Sequence, residues 1–128
     1  MIKLLFISFG GAIGALLRYY ISGLTYNYFN STFPWGTMFV NLLGALIIGF
    51  LWELFENIIV DVNYRAFVLI GLIGAFTTFS TFCLETFKLI EDGEIQFAVM
   101  NILVSNILGV VLIFLGIITS RYVINLFK

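Results

Sequence analysis

Gly74-Ala-Phe-Thr-Thr-Phe-Ser-Thr-Phe82 is the stretch on which the fold of this chain depends. Thr77, Thr78, Ser80 and Thr81 follow one another closely inside an otherwise apolar segment. Hydroxyl side chains compete for backbone hydrogen bonds, β-branched threonines crowd the preceding turn, and glycine weakens a helix. The stretch therefore predicts a helix that breaks within the membrane. Broken helices direct their terminal dipoles at ions, and irregular backbone at that depth needs protein or a wet cavity beside it, so we expect an ion site.

The composition is that of an integral membrane protein. Hydrophobic residues make up 62% of the 128 residues and charged residues 10%. Four apolar runs approach the roughly 20 residues that cross about 30 Å of hydrocarbon; they cover residues 4–23, 35–54, 66–86 and 97–122. We expect a single all-α integral membrane domain over residues 1–128, multi-pass in the cell (inner or plasma) membrane. Four short helices enclose little aqueous path, which favours an oligomer, and the net charge of −1 argues against a nucleic-acid partner.

The side chains that most enzyme chemistry needs are missing from the sequence. The chain has no histidine and a single cysteine, Cys83. Nucleophilic catalysis needs a base and metal-assisted hydrolysis needs a ligand set, so we do not expect an enzyme. A proton-coupled transporter generally needs an ionisable group at mid-membrane. The central parts of the four runs offer amides, hydroxyls and aromatic rings, a pattern that favours passive conduction.

The first predicted span combines two glycines with an arginine. Gly10 and Gly14 share one helix face, where another helix can approach closely; contact with a ligand is the alternative. Arg18 lies several residues inside the span, where a guanidinium needs carbonyls, a carboxylate or water as acceptors. It either extends to the interface beside Tyr19 and Tyr20 or attracts anions at the mouth of a pathway. The residues alone leave both roles open.

Amide and hydroxyl side chains recur in the other spans. Thr37 and Asn41 are four residues apart and face one side, either joining helices or lining a pathway. Asn101 and Ser105 form a similar stripe, with helix contact as the default role and a hydrogen-bonding track as the alternative. Glu85 is predicted to pair with the lysine one turn further on, or else to tether the broken helix.

Two aromatic rings follow the predicted break. Phe79 and Phe82 are i, i+3 neighbours and project to a similar side of a helix. Core packing is their ordinary role. The edge of a phenyl ring carries partial positive charge, however, and amide and hydroxyl groups donate to anions. Rigid weak donors in a narrow pore can replace the water shell of a small anion, so these residues favour an anion pathway.

Three stretches resemble the signatures of the Fluc (CrcB) fluoride channels: Gly10-Gly-Ala-Ile-Gly-Ala-Leu-Leu-Arg-Tyr19, Gly36-Thr-Met-Phe-Val-Asn-Leu-Leu-Gly44 and Gly71-Leu-Ile-Gly-Ala-Phe-Thr-Thr-Phe-Ser-Thr-Phe82. The resemblance covers all four spans in order. It implies a fluoride-selective channel that lets F⁻ leave the cytoplasm and so lowers its toxicity, with fluoride and the lipid bilayer as partners. It also implies four transmembrane helices with a broken third helix, assembled as an antiparallel, dual-topology dimer. We expect a homodimer, although a heterodimer with a paralogue is also compatible with the family.

The resemblance implies roles for individual residues as well. A structural Na⁺ at the dimer interface would bind the backbone carbonyls of Gly74 and Thr77. The other implied sites are the fluoride pore, at Asn41, Phe79, Phe82, Thr37, Thr81 and Ser105, and the vestibule, at Arg18. Many relatives carry a tyrosine where Asn101 stands, so the pore track differs in detail in the fourth span.

Two other functions are compatible with a chain of this size. One is a small proton-coupled multidrug exporter, a class that places a glutamate in the first span, where this chain has none. The other is a membrane scaffold whose polar residues only hold helices together. The positive-inside rule gives a weak preference for cytoplasmic termini and does not decide the orientation.

Overall fold

The computed structural model describes residues 1–28 and 32–127, and for residues 26–28 it describes the backbone only. Its helical elements are α1 (Ile2–Tyr28), α2 (Trp35–Asn57), α3 (Val62–Arg65), a π-helical segment (Ala66–Ile73), α4 (Gly74–Phe76), α5 (Phe79–Glu91) and α6 (Ile95–Leu126). The all-α fold predicted from the composition is confirmed.

The described part of the chain contains four helical stretches long and apolar enough to cross a membrane. They are Ile2–Thr25, Trp35–Asn57, Val62–Glu91 and Ile95–Leu126. The prediction of four helices able to span a membrane is therefore confirmed, and the chain has the architecture of a multi-pass membrane protein. All four stretches extend beyond the predicted runs 4–23, 35–54, 66–86 and 97–122, because the helices continue past the ends of the apolar sequence.

The third span is interrupted, as the hydroxyl-rich stretch predicts. Its backbone runs through α3, the π-helical segment and α4, and then becomes extended at Thr77 (φ −85°, ψ 159°) and Thr78 (φ −149°, ψ 122°). A helix resumes at Phe79. The prediction of a broken third helix is confirmed, and the break lies at two of its threonines.

Close glycine contacts hold the four spans together in two pairs. Gly10 and Gly14 of α1 face the backbone of the third span, where an added Cβ would overlap the carbonyl oxygens of Phe67 and Leu72. Gly116 of α6 faces α2 in the same way, against the backbone at Leu46. Without a hydrophobic driving force in lipid, such close backbone contact is what lets van der Waals forces associate helices. The packing role predicted for Gly10 and Gly14 is confirmed.

Charged side chains gather where α2 ends and the third span begins. Arg65 donates to Glu56, and its guanidinium carbon lies 5.0 Å from the centre of the Trp52 ring. Arg121 near the end of α6 donates from Nε to Glu53 Oε1 at 2.9 Å. These contacts lie at one end of the spans, where α2 and α6 end and the third span begins.

We expect Gly14→Ala to destabilise the protein and Gly11→Ala to leave it unchanged or slightly more stable. The Gly14 methyl group would overlap the Leu72 carbonyl, whereas nothing lies within 4 Å of a Cβ built at Gly11. Forcing α1 away from the third span should cost about 1–3 kcal/mol. Thermal unfolding of the purified variants in detergent measures the difference, and equal midpoints would contradict the close contact.

Candidate functional site

The break in the third span is held by one side chain from α2. Asn41 Nδ2 donates to the Thr78 carbonyl at 2.9 Å, and the Thr78 amide donates to Asn41 Oδ1 at 2.7 Å. An extended residue inside a membrane protein has no helical partners of its own, and each unsatisfied backbone group there costs several kcal/mol. Asn41 supplies both partners at once.

Thr77 and Thr78 also end one helix and begin the next. The Thr77 amide donates to the Ile73 carbonyl at 3.1 Å, which is the last helical bond before the break. Thr78 Oγ1 accepts from the Thr81 amide at 3.3 Å, the side-chain bond of a helix N-cap. The same oxygen donates to Thr81 Oγ1 at 2.9 Å. A hydroxyl from the stretch that breaks the helix therefore also caps the N-terminus of α5.

Arg18 of α1 reaches the break from the opposite side. Its Nη1 donates to the Thr77 carbonyl at 3.2 Å, in a half-buried position. Sequence reasoning left two roles open for this residue, and the structure shows its guanidinium bound at the break rather than extended to the interface. A positive charge is thus placed beside the backbone of Thr77 and Thr78.

A cavity of about 210 Å³ lies on one side of the break. It is lined by Asn41, Thr77, Thr78, Phe79, Phe82, Ser105 and Asn106. The two phenylalanine ring centres are 5.8 Å apart, with their planes inclined by 34°. Phe79 is 76% exposed, so this cavity opens outward from the chain. We call it the ring cavity.

A second cavity, of about 190 Å³, lies on the other side. Its polar lining comes from Arg18, Ser22, Thr37, Thr78 and Thr81, and Ala15, Tyr19 and Val40 complete it. We call it the arginine cavity. The predicted site residues are therefore divided between two cavities, and Thr78 lines both. Gly74 lines neither.

The Gly74 and Thr77 carbonyls, which are predicted to bind Na⁺, differ in the hydrogen bonds that they already accept. The Gly74 carbonyl lacks its α-helical donor, because the Thr78 amide donates to Asn41 instead. The Thr77 carbonyl already accepts from Arg18, and its second lone pair could serve a cation. Oxygen donors suit a hard cation, so the two residues fit Na⁺. No group of three or more His, Cys, Asp or Glu side chains that could hold a metal occurs among the residues described.

Two further side-chain bonds fix α5, the helix that carries the rings. Thr37 of α2 donates to Glu85 Oε1 at 2.9 Å, so Glu85 tethers the resumed helix, the second of its predicted roles. Asn101 of α6, only 1% exposed, donates to Thr86 Oγ1 at 2.9 Å. Ser105 Oγ donates to Asn101 Oδ1 at 3.4 Å. The predicted polar stripe on α6 thus contacts α5 through Asn101 and the ring cavity through Ser105.

Asn106 is a cavity residue that sequence reasoning missed. It lines the ring cavity next to Ser105, and its Nδ2 donates to the Ile102 carbonyl of its own helix at 2.7 Å. The signal was an amide in the middle of an apolar helix. It was overlooked because Asn106 lies about 100° around the helix from Ser105, outside the i, i+4 stripe.

Comparison with known proteins agrees with this architecture. A family model described as CrcB-like protein, Camphor Resistance (CrcB), matches residues 5–117. The chain belongs to the CrcB family. A relative from Parabacteroides distasonis, named fluoride-specific ion channel FluC, is 43% identical over the full length of both chains.

Other relatives of this CrcB-family chain carry the same name. The protein from Magnetococcus marinus is 43% identical across 94% of this chain and 99% of its own length. The protein from Geotalea daltonii is 43% identical across 96% of this chain and 100% of its own length. The family resemblance predicted from the three motifs is confirmed.

We expect Asn41→Leu to destabilise the protein far more than Asn106→Leu. The first substitution leaves the Thr78 amide and carbonyl without partners, at about 1–3 kcal/mol for each group. The second removes an amide whose bond is to its own helix. Thermal unfolding in detergent, followed by circular dichroism, compares the two variants. Similar losses would show that Asn41 does not hold the break.

Proposed function

We propose that this protein is a fluoride-selective channel that lets F⁻ leave the cytoplasm. The observation that carries the proposal is the pair of cavities that share Thr78 in their linings, one of them also lined by the Phe79 and Phe82 rings. The relatives' shared name, fluoride-specific ion channel, supports fluoride as the ion. The same names favour the channel over a multidrug exporter.

The two cavities supply donors without an acidic side chain in their linings. Arg18 draws anions into the arginine cavity by its charge, as a vestibule residue would. The Thr81 hydroxyl accepts from Thr78 and keeps its own proton for an anion, whereas the Thr37 hydroxyl lines the cavity but donates to Glu85.

In the ring cavity the second N–H of the Asn41 amide and the second N–H of the Asn106 amide are the donors. The Ser105 hydroxyl becomes a donor to an anion when it turns away from Asn101.

The start of α5 adds a further contribution from the backbone. The N-terminus of a helix carries partial positive charge and unpaired N–H groups. This end lies at Phe79, the first of the two phenylalanines, and the edges of phenyl rings carry partial positive charge as well. Many weak donors held rigidly can exchange for the water shell of a small anion, whereas one strong charge would bind it too tightly to release.

Passive conduction is sufficient for export. Hydrogen fluoride enters from an acidic medium as the neutral acid and ionises in the neutral cytoplasm. The trapped F⁻ then leaves through the channel down its own gradient. The protein needs no coupled proton site and carries out no chemical conversion of its substrate.

We propose that the working unit is an antiparallel dimer, with a homodimer preferred over a heterodimer of paralogues. The outward opening of the ring cavity and the 76% exposure of Phe79 support this assembly, because an aromatic pore wall needs a second side. The two copies would meet with their third spans facing each other.

We expect Phe79→Ile and Phe82→Ile to reduce fluoride efflux about tenfold or more, the loss that ring-edge contacts of this size imply. Efflux from liposomes containing the purified protein is followed with a fluoride electrode. Phe87→Ile is the control, because Phe87 lies on the same helix and outside both cavities.

Unmodified protein should pass fluoride and exclude chloride in the same assay. Chloride flux equal to fluoride flux would contradict the proposal. Proton-driven drug efflux without fluoride flux would identify an exporter, and no flux of any solute would identify a scaffold.

We propose in addition that a structural Na⁺ binds the Gly74 and Thr77 carbonyls at the dimer interface. The carbonyl freed by the break supports this site, as does the negative end of the helical stretch 62–76. Exchange of Na⁺ for N-methylglucamine during purification should weaken the dimer or lower fluoride flux, and return of Na⁺ should restore both. A protein indifferent to the exchange would rule the site out.

A further inference from the structure

A groove lies at the start of the third span, before the break in its middle. Its volume is about 230 Å³, and it is lined by Lys3, Trp52, Val62, Arg65, Ala66, Leu69 and Ile70. The lining comes from the start of α1, the last turns of α2 and the first turns of the third span. None of the proposed fluoride-pathway residues takes part. We call it the basic groove.

The basic groove crosses the membrane boundary. Lys3 and Arg65 stand at the beginnings of two spans, and Trp52 stands near the end of another, so all three belong to one boundary. Leu69 and Ile70 lie about one turn deeper along the third span than Arg65. Tryptophan is enriched at this depth in membrane proteins. The groove therefore has a charged mouth and an apolar floor that continues towards the hydrocarbon.

Both charged residues that line the groove are basic, and Glu56, the ion-pair partner of Arg65, is not among the lining residues. Two of the seven lining residues are basic, and the other five are apolar. Across residues 1–28 and 32–127, Lys3 forms no ion pair with a carboxylate. Arg65 donates to Glu56 through Nη2 and covers the Trp52 ring, but a guanidinium has five N–H donors, and the others remain for a second acceptor. The mouth can therefore hold an oxyanion such as a phosphate group.

The apolar part of the groove identifies the source of that phosphate. Val62 and Ile70 are 64% and 56% exposed, and they extend the lining outward. A soluble phosphate would use only the mouth and leave this surface uncovered. A phospholipid uses both, because its headgroup and its acyl chain lie at the two corresponding depths.

We propose that the basic groove binds an anionic phospholipid such as phosphatidylglycerol. The phosphate lies between Lys3 and Arg65, and one acyl chain lies along Leu69 and Ile70. Basic pockets between transmembrane helices recognise acidic headgroups in this way. The lipid would cover the start of the third span and steady the helix that leads to the break.

Native mass spectrometry of the protein in detergent tests the proposal. Phosphatidylglycerol and phosphatidylcholine with the same acyl chains are titrated separately. We expect phosphatidylglycerol to bind more tightly, and Lys3→Gln to weaken it about fivefold, the effect of one basic residue near a membrane surface. Lys3→Arg should retain tight binding. Inorganic phosphate at the same concentration should not displace the lipid.

Two further variants make the test specific. Lys88→Gln is the control, because Lys88 lies on α5 and does not line the groove. Ile70→Trp fills the apolar floor and should reduce phosphatidylglycerol binding while the helical circular dichroism stays unchanged. Equal binding of the two lipids, equal losses in Lys3→Gln and Lys88→Gln, full binding in Ile70→Trp, or displacement by inorganic phosphate would each overturn the proposal.

Discussion

The two hydrogen bonds between the Asn41 side chain and the Thr78 backbone are the interaction on which the rest of the structure depends. An extended residue at membrane depth has a free amide and a free carbonyl, and lipid offers partners for neither. The Asn41 carboxamide satisfies both groups, because its Oδ1 accepts from the Thr78 amide and its Nδ2 donates to the Thr78 carbonyl. Because α2 supplies it, the break is stable only when the second and third spans are packed together.

The break organises the surroundings on both of its sides. Arg18 is held at the Thr77 carbonyl, which places a positive charge at the arginine cavity. α5 restarts with its positive end and its two rings at the ring cavity. Thr37–Glu85 and Asn101–Thr86 then fix α5 to its two neighbours. The charge and the rings thus lie in two cavities that share Thr78 in their linings.

Local sequence predicted those features that depend on local physics. Apolar length predicted the four spans, hydroxyl density predicted the break, and the spacing of Gly10 and Gly14 predicted a close helix contact. The pair of hydrogen bonds between Asn41 and Thr78 could not be predicted from the residues alone, because the two residues are 37 positions apart. The sequence indicated only that Asn41 either joins helices or lines a pathway. The role of Arg18 was ambiguous for the same reason, since the Thr77 carbonyl that accepts its hydrogen bond belongs to another span. The outward opening of the ring cavity depends on how α5 is placed against α2 and α6, which no local pattern in the sequence specifies.

The backbone conformation of Thr77 and Thr78 in a lipid bilayer is the most direct test of this account. Solid-state NMR of the isotopically labelled protein in liposomes reads it from the Cα and Cβ chemical shifts. The account predicts shifts typical of extended backbone at these two residues, with helical shifts at Phe76 and at Thr81. Helical shifts at all four positions would show an unbroken third span and would contradict the account.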